Sequence, residues 1–125
     1  MATLFVTLNV TTPDAFTDTN QTKIENLQKQ YKTGSDSVLK RVKLTSATGK
    51  LIFDAAGEYG RSILYLKMIP DSEASSINIE DSSSNTIYAS LLSNEFAFIP
   101  WNGTVDLYAE SVGAEGTIEV GIFEI

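Results

Sequence analysis

The sequence predicts an all-β fold, an antiparallel β-sandwich with jelly-roll-like connections, made of eight or nine short strands with at most one short helix near residues 20–32. Three observations carry this expectation. Apolar residues recur at every second position through most of the chain, the period of a strand with one face on a core. Clusters of Gly, Pro, Asn, Asp and Ser interrupt these runs about every ten residues, the rhythm of a sandwich or barrel. Only one stretch places apolar residues three and four apart. Two sheets covering each other account for such a strand count, with a closed barrel as the alternative.

The elements follow in order. Leu4, Val6, Leu8 and Val10 alternate with polar residues and predict a half-buried strand, stopped by Thr11-Thr12-Pro13-Asp14, where proline cannot donate to a ladder. From Asp18 to Lys32, Ile24, Leu27, Gln28 and Tyr31 fit one face of a short helix, with Thr22 and Glu25 spaced as a capping box and Thr33-Gly34 as its end. The stripe is thin, so a long polar loop is the alternative. Val38, Lys40, Val42 and Leu44 resume alternation, and Ala47-Thr48-Gly49-Lys50 suits a hairpin into Leu51-Ile52-Phe53. Ser62 to Ile69 is apolar on both faces apart from Lys67 and predicts a central strand, ended by Pro70-Asp71.

Ile77 and Ile79 mark a short strand, Asp81 to Asn85 a turn, and Thr86 to Leu92 the next strand. Phe96 to Trp101 is the most hydrophobic run and its aromatic residues are expected mostly in the core. Asn102-Gly103 gives a tight reversal into Thr104 to Ala109, and a last reversal at Gly113 to Gly116 leads into a strand with Ile118, Val120 and Ile122 on one face.

A length of 125 residues predicts a single β-sandwich domain over 1–125, able to form a core without staples. The chain has no Cys and no His. Thiolate and imidazole chemistry and the common zinc, copper, haem and iron–sulfur ligand sets are therefore excluded. The first residues lack the layout of a signal peptide, and no apolar run approaches the roughly 18–20 residues of a membrane span, so a cytoplasmically made protein without a membrane partner is expected.

Charge is segregated along the chain. All nine Lys and Arg fall between Lys23 and Lys67, giving residues 1–67 a net charge of +3 and residues 68–125 a net charge of −10. The acidic half disfavours nucleic acid and anionic membranes. Either the two halves present complementary surfaces to neighbouring subunits, or they interleave in the fold and the field averages out.

Two carboxylates can hydrolyse a glycoside when they face each other across a sugar. Asp71 with Glu73, Glu80 with Asp81, and Asp106 with Glu110 are the nominees, although nothing raises one pair above ordinary turn and strand-face acids. Asp14, Asp18 and Asn20, or Asp81, Ser83 and Asn85, offer oxygen ligands at close spacing without the full calcium-loop pattern. Gly49-Lys50 and Gly57 to Arg61 lack the spacing of a phosphate loop and read as turns. Tyr65, Phe96, Phe98 and Trp101 could form a stacking platform for a sugar, with Trp101 and Tyr108 as the candidate ligand-facing residues. Asn-x-Thr triplets at Asn9, Asn20 and Asn102 are chance matches in Thr-rich loops. No catalytic residue, cofactor or metal site is assigned.

The run Asn85 to Trp101, then Val105 to Ala109 and the closing Glu119 to Glu124, resembles small β-sandwich virion proteins of tailed bacteriophages. The likeness lies in a strand rich in Ile and Ala, a step of leucine, short turn, Glu, aromatics and Pro, and a strand alternating apolar residues with acids. It covers about residues 75–125 and leaves 1–70 unaccounted for. The resemblance implies a non-enzymatic structural subunit of a virion, made in the bacterial host cytoplasm. A capsid decoration or cement protein is the leading form, and a neck or tail component or a carbohydrate-binding receptor module are the alternatives. Implied partners are the major capsid protein or other virion subunits, with a homo-oligomer on the particle. On this reading Lys40, Arg41, Lys43 and Arg61, with the polar segments 11–36 and 55–61, are the candidates for facing acidic surface on a neighbour.

Overall fold

Ile118, Val120 and Ile122 are fully buried, and the strand that carries them is hydrogen-bonded on both sides. The computed structural model of the chain describes residues 3–10, 24–33, 37–46, 48–55, 59–70, 73–81 and 87–125. Among these are ten strands and no helix: β1 Thr3–Val10, β2 Ile24–Lys32, β3 Ser37–Leu44, β4 Lys50–Phe53, β5 Ser62–Met68, β6 Ser76–Glu80, β7 Ile87–Leu91, β8 Phe96–Trp101, β9 Leu107–Val112 and β10 Gly116–Glu124.

β1 and β2 form a separate two-stranded arm. The other eight make two four-stranded sheets, ordered β3-β10-β5-β8 and β4-β9-β6-β7, antiparallel throughout. The pairs β3/β10, β4/β9, β5/β8 and β6/β7 are nested one inside another, as in a long antiparallel ribbon. Rolling that ribbon brings β10 against β5 and β9 against β6, and this is jelly-roll topology.

The core lies between the sheets. Leu44, Leu64, Leu66, Met68, Ile118, Val120 and Ile122 come from the first sheet, and Ile52, Phe53, Ile77, Ile79, Leu91, Leu107 and Ala109 from the second. Strict alternation along each strand puts every second residue there, because successive side chains point to opposite faces. β5 is central as expected, lying between β10 and β8.

The expected helix over residues 20–32 is corrected: Ile24–Lys32 is strand β2, and residues 20–23 lie outside the described residues, with Thr22 and its capping box. Leu27 and Tyr31 are four apart, which is about one helical turn but also two strand repeats. Register settles the matter, since Leu27, Lys29 and Tyr31 stand opposite Leu8, Val6 and Leu4 on one face of the arm. Counting β2, the described strands number ten rather than eight or nine.

The turns around Gly49, Gly103 and Gly113 are present, but none joins hydrogen-bonded neighbours. β3 and β4, β8 and β9, and β9 and β10 lie in opposite sheets, so the expected hairpins there are crossings between sheets. Only β6–β7 among the sandwich strands is a local hairpin; its turn residues 82–86 lie outside the described residues. Gly103 has φ +81°, and a Cβ on it would stand 2.5 Å from the Gly60 backbone, so this crossing requires glycine. Between β7 and β8 the chain turns through Asn94 at φ 67°. There the Leu92 amide donates to the Glu95 carboxylate at 2.7 Å and the Glu95 amide to the Leu92 carbonyl at 2.9 Å.

Candidate subunit-contact surface

β8 is apolar at every position, and its alternation splits it between two environments. Ala97, Ile99 and Trp101 pack toward the core, while Phe96, Phe98 and Pro100 stand on the outer face. The expectation that these aromatics are core is therefore corrected for two of them, with Phe96 64% and Phe98 46% exposed. β8 is an edge strand, so an apolar run on it need not be covered on both sides. In register beside them on β5 are Lys67, Tyr65 and Ile63, and on β10 Glu119, Gly121 and Phe123.

Tyr65 organises the middle of this face. Gly121, its partner on β10, has no side chain to occupy the space, and a Cβ there would come within 3.3 Å of the Tyr65 ring. The ring leans on Phe98 at 5.4 Å between centroids, and its hydroxyl donates to Glu119 Oε1 at 3.0 Å. Arg41 Nε donates to the other oxygen, Oε2, at 3.1 Å. Hydrogen bonds from Arg41 and Tyr65 hold the Glu119 carboxyl below the usual carboxylate range. Burial, and donation to Glu119, push the Tyr65 hydroxyl up.

Of the predicted contact cations, Arg41 and Lys43 lie on this outer face through their register with Glu119 and Thr117, and Arg41 is engaged by Glu119 within the chain. Lys40 is exposed on the opposite side of β3, in register with Val120, and Arg61 is exposed just before β5. The four are thus split among two sides of an edge strand and a loop. Of the polar segments expected to make contacts, 11–23, 34–36 and 56–58 lie outside the described residues.

The charge segregation survives partly in the fold. The outer face of β3-β10-β5-β8 carries Arg41, Lys43 and Lys67 against Glu119, whereas the outer face of β4-β9-β6-β7 carries Glu80 and Glu110. Glu80 is buried and hydrogen-bonds Glu110; burial first, then this bond and the charges of Glu110 and Asp81, push its carboxyl up. The close acid pair is therefore Glu80–Glu110, joined across β6 and β9, rather than a pair near in sequence. Asp106 accepts from the Ala55 amide at 2.7 Å, and Asp81 from the Tyr88 hydroxyl at 3.2 Å, so both are tied to local structure. Among the described residues no three acids gather as a metal site. Asp14, Asp18, Asn20, Asp71, Ser83 and Asn85 lie outside the described residues.

Trp101 and Tyr108 are not brought together. The Trp101 indole donates to the Val105 carbonyl at 2.9 Å and meets the Tyr88 ring edge-on at 5.8 Å, on the core side of β8. Tyr108 lies on the outer face of the other sheet, beside Leu51 and Glu80. A stacking platform of Tyr65, Phe96, Phe98 and Trp101 is likewise divided, with Trp101 on the opposite side from the other three. Asn102 accepts from the Thr104 amide and hydroxyl, serving its own turn.

The arm faces the aromatic side of the sandwich. Between Leu8, Leu27 and Tyr31 of the arm and Ile63, Phe96 and Phe98 of the sheet lies a cleft of about 900 Å³. Sequence reasoning missed this surface, although one signal was present: an apolar run with no polar alternate in a strand flanked by turns on both sides. No family model, no curated protein sequence and no solved structure matches the chain.

Proposed function

We propose that the chain is a non-enzymatic structural protein of a bacteriophage virion, a capsid decoration protein that stabilises the shell by bridging its subunits. The observation that carries the reading is the outer face of β3-β10-β5-β8, with exposed Phe96 and Phe98 on one edge strand, Lys67 in register with Phe96, and Leu39 exposed with Arg41 and Lys43 on the other edge strand. Large apolar side chains exposed on one face mark protein–protein contact, and cations on the same face select acidic partners. The jelly-roll core supports it as a rigid block on which such a face keeps its shape. A protein that binds the assembled shell and not its separated parts stabilises the shell by mass action, and many copies do so together.

The test is the copy number of the chain in purified particles, measured by quantitative mass spectrometry against the major capsid protein. A ratio near one, or near one-third, supports a shell-covering role. A few to a few tens of copies moves the chain to the neck or tail, and absence from the particle overturns the virion reading. In that last case titration of the single Trp101 with host-surface glycans tests the receptor-module alternative by fluorescence.

A further inference from the structure

We propose that the space between the β1–β2 arm and the outer face of β5 and β8 is a binding site for a free anionic amphiphile, a single apolar chain ending in a carboxylate. The cleft holds about 900 Å³, a size at which proteins enclose small ligands, and it has the makeup of such sites, apolar walls with few polar groups. Val6, Leu8 and Leu27 line it from the arm, and Ile63, Phe96 and Phe98 from the sheet. The chain's own arm is one wall of this space and does not fill it: Leu27 is 62% exposed, and Phe96 and Phe98 stand open on the other wall.

Charge selects the occupant. Lys29 lines the cleft among these apolar side chains, its ammonium 5.7 Å from the centre of the Tyr31 ring, and no Asp or Glu is among the described residues that line it. The sheet face beyond the cleft is cationic too, with Lys67 in register with Phe96, and Arg41 and Lys43 further across on β3. Glu119 on that face is already bonded to Arg41 and Tyr65.

Closing the arm directly on the sheet would withdraw Lys29 from water toward a face of its own sign, with no carboxylate in the lining. A desolvated charge without a counter-ion is costly. A ligand carboxylate beside Lys29 supplies the counter-charge. The attached chain then lies between Leu27 and Phe98 and removes their apolar surface from water. A neutral apolar molecule does the second and not the first. Because a two-stranded arm is at best marginally stable alone in water, an occupant that joins it to the sheet also orders it. The site does not rest on the virion reading, since neither wall belongs to another subunit.

The test is isothermal titration calorimetry of the full chain, stripped of lipid, with monomeric decanoate, and with decanol and decylammonium as neutral and cationic probes of equal length. The expected result is a one-to-one complex with decanoate, and binding of the other two weaker by about tenfold or more. Lys29→Gln should bring the decanoate affinity down to that of decanol, and Phe98→Ser should weaken both. Both positions are exposed, so each variant is expected to keep the wild-type circular dichroism spectrum, and the comparison of the three probes on the wild-type chain needs no variant. Nuclear Overhauser contacts from the decanoate chain to the Leu27 methyls and the Phe98 ring are expected to place it in the cleft. No binding of monomeric decanoate, equal affinity for decanol, or indifference to Lys29→Gln overturns the proposal. Contacts between Leu27 and Phe98 in the unliganded chain, the mark of an arm closed on its own sheet, overturn it as well.

Discussion

Glu80 on β6 and Glu110 on β9 lie diagonally across one ladder, Glu80 beside Tyr108 and Glu110 beside Asn78, with their carboxyl groups hydrogen-bonded to each other. Such a bond needs one proton between the two carboxyls. With Asp81 adding a further negative charge and Glu80 buried, the folded state favours protonated Glu80. A carboxyl raised above its ordinary value of 4.5 contributes stability fully below that value, and loses it as pH rises through the folded value. Glu80→Gln keeps a donor toward Glu110 without the titration. We expect its Tm to exceed wild type by about 3 °C at pH 8 and to match wild type near pH 4, measured by calorimetry across that range.

Glu119 should give the opposite limb. Its carboxyl is held low by Arg41 and Tyr65, so its contribution is present above the ordinary carboxylate value and is lost as pH falls through the depressed one. Arg41→Ala and Tyr65→Phe should each move the Glu119 titration upward, read by carboxyl-carbon NMR. The Arg41 pair is solvent-exposed, so Tm at neutral pH should change little.

Ser111 is buried on the core side of β9, and its hydroxyl has no hydrogen-bond partner among the described residues. A buried hydroxyl without a partner carries a desolvation cost of about 1–3 kcal/mol. Ser111→Ala should therefore stabilise the protein, by about 1 kcal/mol, in urea unfolding with an unchanged m-value.

At Gly103 the left-handed backbone and the Gly60 contact act together. Gly103→Ala should destabilise by about 2 kcal/mol or more, and Gly60→Ala, with open space around its Cβ position, by much less. Comparing the two midpoints in urea separates strain at the crossing from a general glycine effect.

Removing residues 1–33 should leave a cooperatively unfolding sandwich, because the arm contributes nothing to the core between the sheets. Removing residues 116–125 should abolish folding: β10 is bonded to both β3 and β5 and supplies Ile118, Val120 and Ile122. Near-ultraviolet circular dichroism of the two truncations distinguishes these outcomes.

Much of the fold is legible in residue alternation and turn chemistry, and the limits are specific. Ile118, Val120 and Ile122 announce a buried face because nothing but a period of two explains them. Leu27 and Tyr31 do not, since a step of four serves either a helix or a strand, and only the opposing Leu8 and Leu4 decide. Gly49, Gly103 and Gly113 mark reversals correctly, but a local signal cannot say whether the next strand pairs with the last or crosses to the other sheet. The candidate surface was harder still. Phe96 and Phe98 look like core because hydrophobicity does not encode whether a strand is central or at an edge. Glu80 and Glu110, thirty residues apart, meet only through the β6–β9 register.

The place of β10 also dictates how the protein is made. During synthesis β3 and β5 emerge long before the strand that separates them, and until β10 arrives each presents an unpaired backbone edge and a row of apolar side chains. The first sheet cannot close on the nascent chain in sequence order, so the ribosome-bound intermediate is the state most open to mispairing with another copy. Low temperature or slow expression should therefore raise the soluble yield more than added stability in the finished sandwich does.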